Sequence, residues 1–133
     1  MLQIEEIKSK GKILVYIIKN GQKIAKTHFL TPQNANMQVG YIVYPAKSVI
    51  PRHFHKKIIR RLDRTEEVLV VKKGSAYFDI YDGKKHLVAT RRVKAGDIMI
   101  IVGGGHGFRV VKDLILLEVK QGPYTGVDEK ERF

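Results

Sequence analysis

Three observations predict an all-β fold for this chain. Short β-branched and aromatic runs recur at roughly 8–12-residue spacing, the rhythm of a sandwich or barrel. Tight-turn signals such as Asn20-Gly21 and Asp82-Gly83 separate them. No stretch of normal helical length carries an amphipathic period, and no internal repeat is present.

The runs follow in order. Residues 13–18 (Ile-Leu-Val-Tyr-Ile-Ile) read as a strand, and the Asn20-Gly21 signal predicts a hairpin returning through residues 24–30. Residues 31–36 are turn-rich. Residues 37–44 and 49–55 read as further strands, the latter bent or at an edge because of Pro51. From Glu67 the pattern tightens, with strands expected over 67–71, 76–81, 86–93, 98–102, 107–111 and 114–120, joined by Gly, Asp and Lys turns. Gln121-Gly122-Pro123 stops the last strand, and a polar tail follows.

The 133 residues suffice for one domain with its own core. No linker divides them, so one domain is expected: N-terminal strands over 1–40, a barrel over 41–120 and a tail over 121–133. Apolar residues at 44% and charged residues at 29% describe a globular chain and exclude a disordered one. Cysteine is absent, which excludes disulfides and thiolate sites, so any metal must take His, Asp or Glu ligands. The N-terminus does not read as a signal peptide, and no apolar run approaches the length of a membrane span. A cytoplasmic protein without membrane association is expected. The net charge of +12 admits three readings: a Lys-rich solubilising surface, an anionic small substrate, or nucleic acid. The lysines are scattered at turns, which favours the first and disfavours nucleic acid.

The side chains with chemical capacity are few. His53-Phe54-His55 places two imidazoles at i and i+2, on one face of a strand. Glu67 opens the next strong strand, and His106 follows the Gly103-Gly104-Gly105 loop. Three imidazoles and a carboxylate suit a divalent metal (Zn, Fe, Mn, Ni or Co), and the donor types do not choose among these. Taken alone, His-x-His also fits two surface histidines on an edge strand.

The order of these residues resembles the two motifs of the cupin superfamily. The first is met by His53-Phe54-His55 and by Glu67 with six residues before Gly74; the second by Gly96-Asp97, an apolar run, Gly105 and His106. The likeness spans roughly residues 41–118. It departs from the family in four places: eleven residues lie between His55 and Glu67, Val102 replaces the usual Pro, Lys47 replaces a Gly, and the gap before His106 is one residue short. Glu66 competes with Glu67 for the carboxylate position, and the spacing to Gly74 favours Glu67.

The resemblance implies a single-domain cupin barrel, a double-stranded β-helix or jelly roll, with a divalent metal held by His53, His55, Glu67 and His106. It implies a small polar ligand, anionic or carbohydrate-like, with sugar isomerisation or epimerisation as the preferred reaction. A non-catalytic sensing cupin and an iron-dependent dioxygenase are the alternatives. It also implies a homodimer.

Five of the eleven spacer residues are basic. Arg60 and Arg64 are therefore candidates to grip a phosphate or carboxylate, against the alternative of a solvated face. Tyr124, with Lys130, is a candidate to close over the pocket, against a tail packed on the outside. His28 and His86 lack motif context and read as ordinary histidines.

Overall fold

A computed structural model describes residues 2–122 and 129–133 of the chain. Among them are eight strands and no α-helix: β1 (Glu5–Ser9), β2 (Lys12–Ile18), β3 (His28–Phe29), β4 (Gly40–Tyr41), β5 (Glu67–Tyr81), β6 (Leu87–Lys94), β7 (Ile98–Ile101) and β8 (Gly105–Lys120). Pairing is antiparallel throughout, in the order β1-β2-β7-β5-β6, with β8 on the other edge of β5 and β3-β4 a separate pair. The sheet curls strongly into a half-barrel, and Arg91 of β6 reaches Glu5 of β1 at 3.0 Å.

The long strands differ from the segmented pattern read in the sequence. Residues 67–71 and 76–81 merge into one 15-residue strand, and residues 107–111 and 114–120 into one of 16. The expected turns at Lys72–Ser75 and Lys112-Asp113 are bends within strands. Register shifts there change the inward parity, so Leu69 and Val71 face the core before the bend and Ala76, Phe78 and Ile80 after it. Gly74 makes the bend possible. Its φ of +85° is a left-handed conformation, and a Cβ there would collide with the Asp113 carbonyl oxygen. On the other edge of β5, β7 covers Glu67–Val70 and β6 covers Ser75–Tyr81.

The Gly96-Asp97 turn between β6 and β7 plugs into that bend. Gly96 donates its N–H to Val71 O, and Val71 donates to Asp97 O. The Asp97 carboxylate, fully buried, accepts the N–H groups of Asn20 and Lys94 at 2.8 and 2.9 Å. Asn20 is thereby committed to a long-range contact, and the hairpin expected at Asn20-Gly21 does not form. Of residues 24–30, only His28 and Phe29 are in a strand. An unanticipated hairpin precedes it: β1 turns into β2 through Lys10 and Gly11, both at positive φ, the geometry of a tight two-residue loop.

Two apolar layers result. Ile7, Val15, Ile17, Phe78, Ile80 and Met99 anchor the concave core. Tyr16, Ile18 and Ile100, on the opposite face of β2 and β7, are covered by Leu30, Val39 and Tyr41. Residues 42–63 contribute to neither layer. The expected strand over 49–55 is absent, and Phe54 is 98% exposed.

Candidate functional site

The concave side of the half-barrel holds a cavity of about 730 Å³. Its wall is built by alternation along β5 and β8, whose directly opposed residues point to the same face. Leu69 opposes Glu118, Phe78 opposes Phe108 and Ile80 opposes His106. The Phe78 and Phe108 rings stack at 4.8 Å and form an apolar floor. Above it, Glu67 Oε1 lies 3.6 Å from His106 Nε2.

The electrostatics of this pair follow from burial. Desolvation pushes the Glu67 carboxyl up to about 7, reinforced by a hydrogen bond with Glu118 and by repulsion from it. Burial holds the His106 imidazole below its ordinary value, helped by the positive charge of Lys130. A neutral imidazole with an available lone pair thus faces two carboxyl groups in a partly desolvated hollow.

His53 and His55 form a second cluster away from the first. Their rings stand 5.2 Å apart, edge to face. His53 Nδ1 lies 2.8 Å from the Pro51 carbonyl oxygen, which can only accept, so Nδ1 is the donor in this contact. The structure therefore brings Glu67 to His106 and His53 to His55, but does not unite the pairs. Among the described residues no three His, Asp or Glu side chains converge as a metal group.

Glu66, the competitor for the carboxylate position, is buried away from the cavity. It accepts the Met37 N–H at 3.0 Å and pairs with Arg64 at 3.1 Å. Arg64 is consequently engaged by Glu66 and Asp63. Arg60 is exposed, and neither arginine lines the cavity, although Thr65 does. Gly103, in the glycine loop, donates its N–H to Leu14 O at 3.2 Å. Tyr124 lies outside the described residues. His28 is exposed on β3, and His86 faces Asp82 at 3.4 Å in the β5–β6 turn.

Glu118 is a cavity residue that the sequence pattern did not single out, whereas Lys130, which it did, lines the cavity with Glu129, Glu131 and Phe133. Phe133 packs edge-on against Tyr81 at 4.9 Å, Glu131 meets Lys85 at 2.6 Å, and Glu129 meets Lys120 at 2.6 Å. The tail thus borders the cavity mouth. A signal for Glu118 existed: Leu114, Leu116, Glu118 and Lys120 share one strand face, and two charges continuing an apolar alternation mark a functional wall.

No known protein family, curated protein or solved structure matches this chain.

Proposed function

We propose that this chain is a small metal-binding cupin barrel acting on a polar, anionic or carbohydrate-like molecule. The observation that carries the reading is the part-buried Glu67–His106 pair at 3.6 Å, with Glu118 on the neighbouring strand. Burial and the adjacent Glu118 hold the Glu67 carboxyl up to about 7, beside an imidazole that burial holds below its ordinary value. A cation beside Glu67 would favour its charged form. Glu67 and His106 would hold the metal, with His53 and His55 as the remaining donors. A bound divalent ion would polarise a substrate oxygen.

The chain's own groups have distinct tasks. Phe78 and Phe108 exclude water from the floor. Glu118 is placed to hold or move a proton, the capacity that an isomerisation or epimerisation requires. Lys120, Lys130 and Arg132 line the cavity beside Glu118, Glu129 and Glu131, so its wall presents both signs of charge to a polar ligand. A ligand-binding role without turnover is the second reading, favoured by the separation of the two histidine clusters.

Elemental analysis after loading with Zn, Mn or Fe tests the metal. His106→Ala and Glu67→Gln should each lower bound metal on the order of tenfold or more, as loss of a direct ligand does, while circular dichroism stays that of a β protein. Unchanged metal content would overturn the reading. Turnover of sugar derivatives by the loaded protein separates enzyme from binding protein, and oxygen uptake with iron alone would transfer the assignment to a dioxygenase.

A further inference from the structure

The outer face of the half-barrel gathers positive charge that is dispersed along the chain. Strands β6, β5 and β8 present it in register. Ser75 lies between Lys94 on β6 and Lys112 on β8, Tyr77 between Arg92 and Arg109, and Asp79 between Thr90 and Gly107. Directly opposed residues share a face, and the alternate positions of β5, Ala76, Phe78 and Ile80, fill the core. The three rows therefore look outward. Lys94, Arg92, Arg109 and Lys112 are all exposed, and so are Lys72 and Lys73, where β5 bends next to Ser75. Successive rows stand about 6.4–6.8 Å apart along the strands.

Long side chains cover what lies beneath them. Ser75 and Asp79 are buried although they belong to an outer face. Arg109 grips the Asp79 carboxylate through Nε and Nη2, both at 2.9 Å, and Thr90 Oγ1 donates to it at 2.6 Å. Arg92 Nη2 donates to Ser75 Oγ at 3.3 Å. Both guanidinium groups also rest on the Tyr77 ring, Arg92 at 5.3 Å and Arg109 at 5.0 Å from its centroid. These contacts set the direction of both arginines before any ligand arrives, so less side-chain freedom is lost on binding. Asp79 balances one of the four cations, and the rows hold no second carboxylate.

We propose that this face binds single-stranded nucleic acid, with Arg92, Lys94, Arg109 and Lys112 against the backbone phosphates. Charge complementarity selects a polyanion, and guanidinium forks match phosphate oxygens. Other partners fit less well. The core of a protein interface is depleted of lysine and centred on apolar side chains, and a face that lies on a membrane carries apolar side chains to insert. Tyr77, 37% exposed, is the one large apolar side chain in these rows. A duplex is stiff on this length scale and meets a convex sheet along a short line, whereas a single strand bends around it. The face lies on the opposite side of the sheet from the cavity, and nothing in it rests on a bound metal.

Fluorescence anisotropy with a labelled oligothymidylate of about 12 nucleotides, within the site size usual for single-strand binders, measures the interaction. At about 50 mM salt the chain should bind, and log K should fall against log salt with a slope of about −2 to −3, roughly −0.7 for each phosphate neutralised. Arg92→Gln, Lys94→Gln and Lys112→Gln together should lower affinity on the order of tenfold or more and reduce that slope by about 2. Arg109 is left in place because it neutralises the buried Asp79. Lys23→Gln, Lys26→Gln and Lys56→Gln together remove the same charge from exposed positions off these rows. That control should change affinity by less than about threefold, since charges away from the contact are largely screened. Thermal melts by circular dichroism establish that both triple variants fold. No binding at low salt, or equal weakening by the two triple variants, would overturn the face. A duplex of the same length bound as tightly as the single strand, or binding to equimolar phosphatidylserine and phosphatidylcholine vesicles in its place, would overturn the assigned partner.

Discussion

The Glu67 carboxyl shares a hydrogen bond with Glu118 in the hollow of the half-barrel. The two residues lie on adjacent strands, Glu118 opposite Leu69, two positions beyond Glu67 on β5. A diagonal pair of this kind brings like charges within reach of each other. Glu67 ionises only against desolvation and against the charge of Glu118, so this pair opposes folding whenever both are charged.

The consequence is a pH dependence with a definite sign. Glu67 is raised from its ordinary value to about 7 in the folded chain. The folded state therefore holds a proton that the unfolded state releases between those two values. The metal-free protein should lose stability as pH rises from about 4.5 to 7, by on the order of 1–3 kcal/mol, with no further loss from this group above that range. Glu118→Gln removes the like charge and should flatten the profile. Urea midpoints at several pH values measure it, and a profile unchanged by Glu118→Gln would refute the coupling.

Asp97 gives a second expectation. It is fully buried and accepts backbone N–H bonds from Asn20 and Lys94, with Lys19 Nζ at 3.3 Å. Asp97→Ala leaves those donors unpaired at the junction of β2, β6 and β7. A loss of about 2–4 kcal/mol is expected from bonds to a buried charged acceptor. Equilibrium denaturation checks it, and metal content should be unaffected in the folded fraction.

How much of the fold and site is legible in the sequence depends on the range of the interaction. Alternation and turn chemistry are local, and they predict an all-β chain and runs that match β2, β5, β6, β7 and β8 in place, with His86 and Val102 just outside β6 and β7. The parity of His53 and His55 and the choice of Glu67 over Glu66 come from spacing, and Glu67 does face the cavity. What local pattern misses is set at a distance. Asn20-Gly21 carries a strong hairpin signal, but Asp97, far along the chain, takes the Asn20 N–H. Lys72–Ser75 reads as a turn, yet pairing with β8 keeps it as a bend in one strand. Arg64 reads as an anion ligand, but its partner is the adjoining buried Glu66. Glu118 breaks the apolar alternation of Leu114 and Leu116, but its partner Glu67 lies on another strand, beyond the reach of local pattern.

Gly74 is a point where backbone geometry permits one residue type. Its φ of +85° and the collision that any Cβ would have with the Asp113 carbonyl oxygen combine torsional and steric cost. Gly74→Ala should destabilise by roughly 2–4 kcal/mol, the sum of left-handed strain and displacement of the β8 backbone. Because that bend lets β5 and β8 curl together, the substitution should also separate Glu67 from His106. Stability and metal content should fall together, unlike Asp97→Ala. A fully stable Gly74→Ala variant would show that the bend does not depend on this glycine.

Arg64 and Arg60 should part company under mutation. Arg64 donates through Nε to Glu66 Oε2 at 3.1 Å, and Glu66 is 1% exposed. Removing Arg64 takes away the cation that faces this buried carboxylate and leaves it the Met37 N–H. The full penalty of an orphaned buried charge is about 3–5 kcal/mol. The Arg64 side chain is itself 45% exposed, so water replaces part of what it supplied, and about 1–3 kcal/mol is expected for Arg64→Ala. Arg60, exposed between β4 and β5, should leave stability unchanged within about 0.5 kcal/mol when replaced by Ala. Calorimetric titration with inorganic phosphate then assigns anion binding. Weakening by Arg60→Ala at unchanged stability identifies Arg60 as the contact, whereas equal affinity makes it a solvated charge. Arg64→Ala should act on the melting temperature first, because its structural partner is Glu66.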